Sequence, residues 1–531
     1  MTSPPFQPAR SVVETARAVR SGELSASDCV RDALSRVRER DPALHAFLEV
    51  LGDEAERTAR AIDDRRARPG DSAPGRGLGE LAGVCLGIKD NLCLAWGRTT
   101  CASRILENYR SPFTATSVQR LLDQDAIALG KTNLDEFAMG SSCESSAFGT
   151  TRNPFDPSRV PGGSSGGSAA GVGAAMVPAA LGSDTGGSIR QPAGWCNVVG
   201  LKPTYGRVSR YGLVAYASSL DQVGPMASCI ADCALLSFHL CGHDPLDATS
   251  VDDRGLPPAG YALDHLDALE RDADRPGLVV GVPTAARGSG GNHGAVNEAI
   301  ERSAAALREA GATIVDVDLA LLEEAIAAYY IIAPAEASSN LARFDGVRYG
   351  RRAAMDEGDD LEALYARSRG EGFGPEVQRR ILLGTYVLSA GYADRYYHTA
   401  QKARRLIKDA YEQLLPSRGG SASGRGTSGS RACDVVLMPS SPGPAFVLGE
   451  KNSDPLALYL EDVYTVGVNL AGLPAMSVPA GFASVARDGK ARPLPVGVQL
   501  VAPAFEERRL FRAGRVLERA FGVGAARLWP D

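Results

Sequence analysis

The chain has 531 residues, 44% of them hydrophobic, with a formal net charge of −6. It is long enough to bury a large core, and its acidic balance argues against this chain alone gripping a polyphosphate such as tRNA. With no N-terminal apolar signal segment and no apolar span of about 18 residues free of turn formers, a soluble, cytoplasmic protein with no membrane contact is expected. From the start of the chain, Ser11 to Arg40 and Gly52 to Arg66 carry helical periodicity, with Ser25 or Ser27 as a cap, and Pro69 to Gly79 is a Pro/Gly-rich linker. Residues 1–75 are therefore expected to form a helical layer and linker, and 76–531 the core.

The apolar run Leu81 to Ile88 reads as a buried strand with Lys89 at its end. A lysine there is usually a solvated charge. Desolvated, its amine, which ordinarily titrates near ~10.4, becomes neutral enough to act as a base. Two serine-bearing glycine turns follow, Gly162 to Ser168 and Asp184 to Ser188, flanking an Ala/Val-rich segment. Ser168 to Leu181 reads as a buried helix, with Pro178 marking an end or kink. Glycine clusters let the backbone turn tightly and aim N–H groups at a ligand, which with a serine alongside points to acyl chemistry.

The first turn satisfies G-x-S-x-G around both Ser164 and Ser165, as a hydrolase nucleophile elbow does. That elbow needs an acid and a histidine, and the six histidines (His45, His239, His243, His265, His293, His398) lie mostly in polar or loop-like contexts. Lys89 is the alternative base. Cys229, Cys233, His239, Cys241 and His243 cluster, but the two leading cysteines fall at i and i+4 on the apolar face of a helix with no matching second pair. Reduced core cysteines and no metal are expected. Ser417 to Arg431 is a low-complexity polar insert, expected to be a disordered surface loop. Neither a phosphate loop nor a dinucleotide fingerprint occurs, so no cofactor is expected in this chain.

Four motifs, Gly87 to Asn91, Gly130 to Gly140, Val160 to Ser168 and Gly182 to Ala193, together resemble the amidase signature family over nearly the whole chain. Gly372 to Thr385 and Tyr459 to Pro474 are similar to the glutamine-binding parts of its tRNA-amidotransferase branch. The resemblance implies an α/β fold, a single large domain with a mixed, twisted β-sheet covered by α-helices. It implies a Ser-Ser-Lys triad: Ser188 as nucleophile, Ser164 as the bridging serine in a cis peptide, and Lys89 as base. Backbone N–H groups of Thr185, Gly186, Gly187 and Ser188 would form the oxyanion hole. A free amino acid offers a carboxylate and an ammonium, so a guanidinium and a carboxylate are wanted; Arg380 and Asp462 fit by motif position, with Tyr329 as a pocket wall.

By the same resemblance the chain would release ammonia from glutamine to a B subunit, which carries ATP and Mg2+, binds most of the tRNA and amidates Glu-tRNA(Gln). A small C subunit would complete a heterotrimer, and some such complexes also amidate Asp-tRNA(Asn). The alternative is a stand-alone amidase acting on a small amide, with no need for Arg380 or Asp462; a dead scaffold is disfavoured by the intact Lys89, Ser164 and Ser188. The chain departs from the family pattern at Trp195 and Asn197, where a glycine is among the commoner residues, and at Gly467, where proline is usual.

Overall fold

In the computed structural model, which describes residues 9–68, 77–274, 277–287, 291–319, 322–416, 432–487 and 490–522, the N-terminal helices start where the sequence supplies caps. Ser11 Oγ accepts from the Glu14 N–H and Glu14 accepts from the Ser11 N–H, a reciprocal box that opens the helix Val12–Ser21. Gly22, at φ 85°, ends it in the left-handed region. Ser25 caps the next helix, Ala26–Leu44, while Ser27 lies inside its first turn and donates to Asp63 of the third helix, Gly52–Ala67.

Short runs of apolar and small residues form a mixed sheet of eleven strands in the order β1-β3-β2-β4-β6-β5-β10-β11-β9-β7-β8. The strands are β1 Phe47–Val50, β2 Cys85–Lys89, β3 Ile127–Thr132, β4 Ala179–Asp184, β5 Val199–Lys202, β6 Gln222–Ala227, β7 Val279–Pro283, β8 Thr313–Val317, β9 Val435–Pro439, β10 Ala475–Arg487 and β11 Lys490–Val501. β3, β2 and β4 run parallel, as do β8, β7 and β9; the other pairings are antiparallel. Every residue of β2, β3 and β4 is buried, as befits parallel strands enclosed on both faces. Helices cover the sheet, and the expected α/β fold is the one adopted.

The expected helix Ser168 to Leu181 is instead a short helix, Gly166–Gly173, a turn, and strand β4, which starts directly after Pro178. Gly171 and Gly173 near the end of the helix and Ala175 at φ 53° break the run. A buried apolar stretch without polar alternation carries no period to separate the two elements. Residues 417–431, read as a disordered insert, lie outside the described residues, as do 69–76 of the linker.

Cys229 stands at the N-terminal cap position of the helix Ile230–Leu240 and Cys233 lies buried within it, and His239 Nε2 lies 3.0 Å from Glu80 Oε2. Among the described residues no group of three or more His, Cys, Asp or Glu is placed to hold a metal ion, and no helix is long and apolar enough to cross a membrane.

Candidate active site

β2 and β4 lie side by side in parallel and present residues at their carboxyl ends, where sheets of this kind leave room for a site. Lys89 ends β2 fully buried. Its Nζ lies 2.8 Å from Ser164 Oγ, 2.8 Å from Ser165 Oγ, 2.9 Å from Ser183 Oγ and 3.2 Å from the Ser183 carbonyl oxygen. These partners are all neutral oxygens. Burial pulls the amine down to about 7, against the weaker opposing fields of Asp135, Cys143 and Asp184. A neutral amine set among hydroxyls has a lone pair with which to take a proton.

The two adjacent serines are not equivalent. Ser165 Oγ donates to the Ser183 carbonyl (3.1 Å) and accepts from the Ser183 N–H (3.3 Å), whereas among the described residues the sole hydrogen-bond partner of Ser164 Oγ is Lys89. Ser164 is thus the hydroxyl free to pass a proton on. The Gly163–Ser164 peptide is cis.

Ser188 lies in the turn between β4 and the helix Arg190–Trp195. Asp184 organises that turn: it accepts from the Gly187 N–H (2.9 Å), the Ile189 N–H (3.1 Å) and, on both oxygens at 3.0 Å, the Arg190 guanidinium. Burial pushes the Asp184 carboxyl up, but Arg190, Lys202 and Asn469 outweigh it and hold the group below the usual carboxylate range. Since the Gly187 N–H is engaged by Asp184, it is not open to an oxyanion in this structure; those of Thr185, Gly186 and Ser188 carry no hydrogen bond among the described residues. The Ser188 carbonyl accepts from the Ser165 N–H (3.1 Å), which joins the two turns, yet no hydrogen bond links Ser164 Oγ to Ser188 Oγ. A Cβ at Gly186 would sit 2.7 Å from the Tyr329 ring, and one at Gly187 would strike Thr465. Neither position has room for a side chain.

Tyr329, from the helix Leu322–Asn340, therefore walls the turn that carries Ser188. Beside it, Arg380 on the helix Pro375–Leu388 is only 3% exposed. Its Nε donates to Glu376 Oε1 (2.8 Å) and its Nη1 to the Tyr216 hydroxyl (2.7 Å), while the guanidinium lies 5.6, 5.4 and 5.3 Å from the rings of Tyr216, Tyr330 and Tyr459. Nη2 carries no hydrogen bond among the described residues. Asp462 is buried and accepts from Ser141 Oγ (2.6 Å); burial pushes its carboxyl up to about 7, with Ser141 and Arg380 opposing.

Pocket and turn are joined twice. Thr465 Oγ1 donates to the Gly186 carbonyl (2.6 Å), and Asp221 accepts from both Thr185 Oγ1 (2.7 Å) and the Tyr216 N–H (2.9 Å). The start of the Arg380 helix is fixed by Glu136, which accepts from the Gly374 N–H at 3.0 and 2.8 Å; burial pushes Glu136 up to about 7.

The residues expected to form the triad, the oxyanion turn and the pocket fall in this region, but several of their partners carried no local signal. Ser183 stands in a motif without a role of its own, and Tyr216 meets Arg380 across 164 positions of sequence. Glu376 could have been found, since it stands one helical turn before Arg380. Of the three departures, Trp195 is buried away from the pocket, its indole N–H donating to Ser441 Oγ (2.9 Å) and the Gly443 carbonyl (2.8 Å). Asn197 takes φ 57°, a conformation asparagine tolerates better than most residues and glycine better still. Gly467, within the helix Val466–Ala471, faces Tyr411.

The family model described as Amidase matches residues 28–511. A relative from Deinococcus radiodurans, the A subunit of its glutamyl-tRNA(Gln) amidotransferase, is 51% identical over 519 residues, covering 98% of each chain. The crystal structure of the A subunit of the Thermotoga maritima glutamyl-tRNA(Gln) amidotransferase superposes with a TM-score of 0.69 at 39% identity, over 94% of this chain and 95% of that one. A bacterial aryl acylamidase superposes with a TM-score of 0.78 at 25% identity, over 97% and 96%. The higher fold score goes with the lower identity, so backbone shape does not separate activities here, and the pocket residues must. On this match of model, sequence and fold, the chain belongs to the amidase family.

Proposed function

We propose that this chain is the glutamine-hydrolysing subunit of a tRNA-dependent amidotransferase, releasing ammonia for the conversion of Glu-tRNA(Gln) to Gln-tRNA(Gln) on a partner. The observation that carries this reading is the junction of two things: a buried amine held among serine hydroxyls, and a pocket with one buried guanidinium and one buried carboxylate. A simple amide needs no such pair of charges; an amino acid does.

In this reading neutral Lys89 takes the Ser164 proton as Ser164 takes that of Ser188, and Ser188 Oγ bonds to the amide carbon. The carbonyl electron pair moves onto oxygen, where the N–H groups of Thr185, Gly186 and Ser188 receive it, each such donor contributing about 3–4 kcal/mol. Collapse breaks the C–N bond, the relayed proton returns to nitrogen, and ammonia leaves. Water then attacks the acyl ester by the same relay and frees glutamate. The link from Ser164 to Ser188 closes with substrate in place, as catalytic hydrogen bonds in free enzymes often do. Arg380 Nη2 binds the α-carboxylate, Asp462 the ammonium, and Tyr329 confines the side chain against Gly186.

The partners expected in this reading are a B subunit, with ATP, Mg2+ and most of the tRNA contact, and a C subunit, together forming a cytoplasmic heterotrimer. The test is ammonia release from glutamine by the purified chain, alone and with candidate B and C subunits, ATP and Glu-tRNA(Gln), against Ser188→Ala. Release that requires Ser188 and is strong only in the complex is expected. Inertness to glutamine in both settings, with turnover of simple amides by the lone chain, would instead make it a free-standing amidase.

A further inference from the structure

Arg380 is not held by its own helix alone. A single oxygen, Glu376 Oε1, accepts from Arg380 Nε (2.8 Å) and from the Tyr459 hydroxyl (2.9 Å), and so ties the helix Pro375–Leu388 to the segment that carries Asp462 three residues further on. The Tyr459 ring in turn stacks on Tyr330 with centroids 3.8 Å apart, and Tyr330 packs edge-on against Tyr329 at 5.0 Å. Cation–π attraction draws the guanidinium toward Tyr330 and Tyr459, 5.4 and 5.3 Å from the ring centroids, and the hydrogen bonds at Nε and Nη1 fix its direction. One edge nitrogen, Nη2, is left open.

We propose that Glu376 is a positioning residue for amino-acid recognition: it sets the orientation of Arg380 and, through Tyr459, the place of Asp462, so that the two charged readers stand at the separation of an α-carboxylate and its ammonium. The inference rests on the reading of this pocket as one for glutamine. A contrary role has a physical basis too, because a carboxylate beside Arg380 competes with a substrate carboxylate for the same cation. Geometry decides between them: Glu376 occupies Nε and leaves Nη2 clear. Removing it leaves a guanidinium that is 3% exposed without its Nε acceptor, held by hydrogen bond to the Tyr216 hydroxyl and free to turn.

The test is steady-state kinetics of the complex with its partner subunits on glutamine and on butanamide, which has the amide but neither charge. In Glu376→Ala the KM for glutamine should rise about tenfold with kcat nearly unchanged, the pattern of lost ground-state and transition-state binding alike, while kcat/KM for butanamide stays within about twofold. Glu376→Gln, which keeps an acceptor oxygen, should recover most of the loss, and Tyr459→Phe, which removes one hydroxyl donor and leaves the stack, should raise the KM about threefold. A KM for glutamine that is unchanged or lowered in Glu376→Ala would overturn the proposal in favour of competition or no role. A parallel fall on butanamide would overturn it in favour of general damage to the fold. Equal preference of the unaltered enzyme for the two amides would instead overturn the glutamine reading beneath it.

Discussion

Lys89 and Lys131 stand on neighbouring parallel strands, β2 and β3, both with no exposed surface, yet their surroundings differ in one decisive way. Lys131 Nζ lies 2.8 Å from Asp90 Oδ1 and donates to the carbonyls of Leu92 (2.9 Å) and Arg98 (2.8 Å). Lys89 has hydroxyls and a carbonyl, with its nearest carboxylates acting only at longer range. A unit charge about 4 Å away at an effective dielectric near 20 is worth about 4 kcal/mol, or about three pKa units. A carboxylate at that range opposes the effect of burial on an amine. Burial by itself therefore does not make a base. Burial without a counter-ion in contact does, as at Lys89, whereas Lys131 has Asp90 as its partner.

Exchanging the two lysines for methionine separates chemistry from stability. Lys89→Met should lower kcat for amide hydrolysis by about 10⁴-fold or more, as removal of a relay member does, with the fold retained. Lys131→Met leaves Asp90 as a buried carboxylate without its cation and should cost about 3–5 kcal/mol in equilibrium unfolding. Comparable unfolding curves for the two variants, or residual full activity in Lys89→Met, would break the contrast. A smaller effect sharpens the account of the second turn: Gly186→Ala drives a methyl into Tyr329, should displace one oxyanion donor, and is expected to lower kcat about 10²-fold. Activity within about twofold of the parent enzyme would show that Tyr329 yields without disturbing the turn.

The apolar run ending at Lys89 is legible in the sequence because a fully enclosed parallel strand has to be continuously apolar, and the glycine turns are legible because close approaches demand them. The neighbouring stretch from Ser168 misleads for the same reason. Helix and strand are both wholly buried there, so polarity does not alternate and the boundary at Pro178 is the sole cue. Lys89, Ser164 and Ser188 all stand in motifs, but what leaves the Ser164 rather than the Ser165 hydroxyl free is the Ser183 backbone, on strand β4. Around Arg380 the motif reveals the cation and hides its setting, since Tyr216 and Tyr459 reach it over long sequence separations that no local pattern records.

The central claim is that Lys89 titrates near neutral pH and in its neutral form serves Ser188 as a base through Ser164. Its most direct test is the rate of Ser188 labelling by a small uncharged sulfonyl fluoride, followed by mass spectrometry from about pH 5 to about pH 10, because such a reagent needs neither Arg380 nor Asp462. A base must be unprotonated to work, so the rate should fall about tenfold per unit below a midpoint at about 7, level off above it, and vanish in Lys89→Met. A rate that keeps climbing to about pH 10, the range of an ordinary lysine, or that survives in Lys89→Met, would contradict the claim.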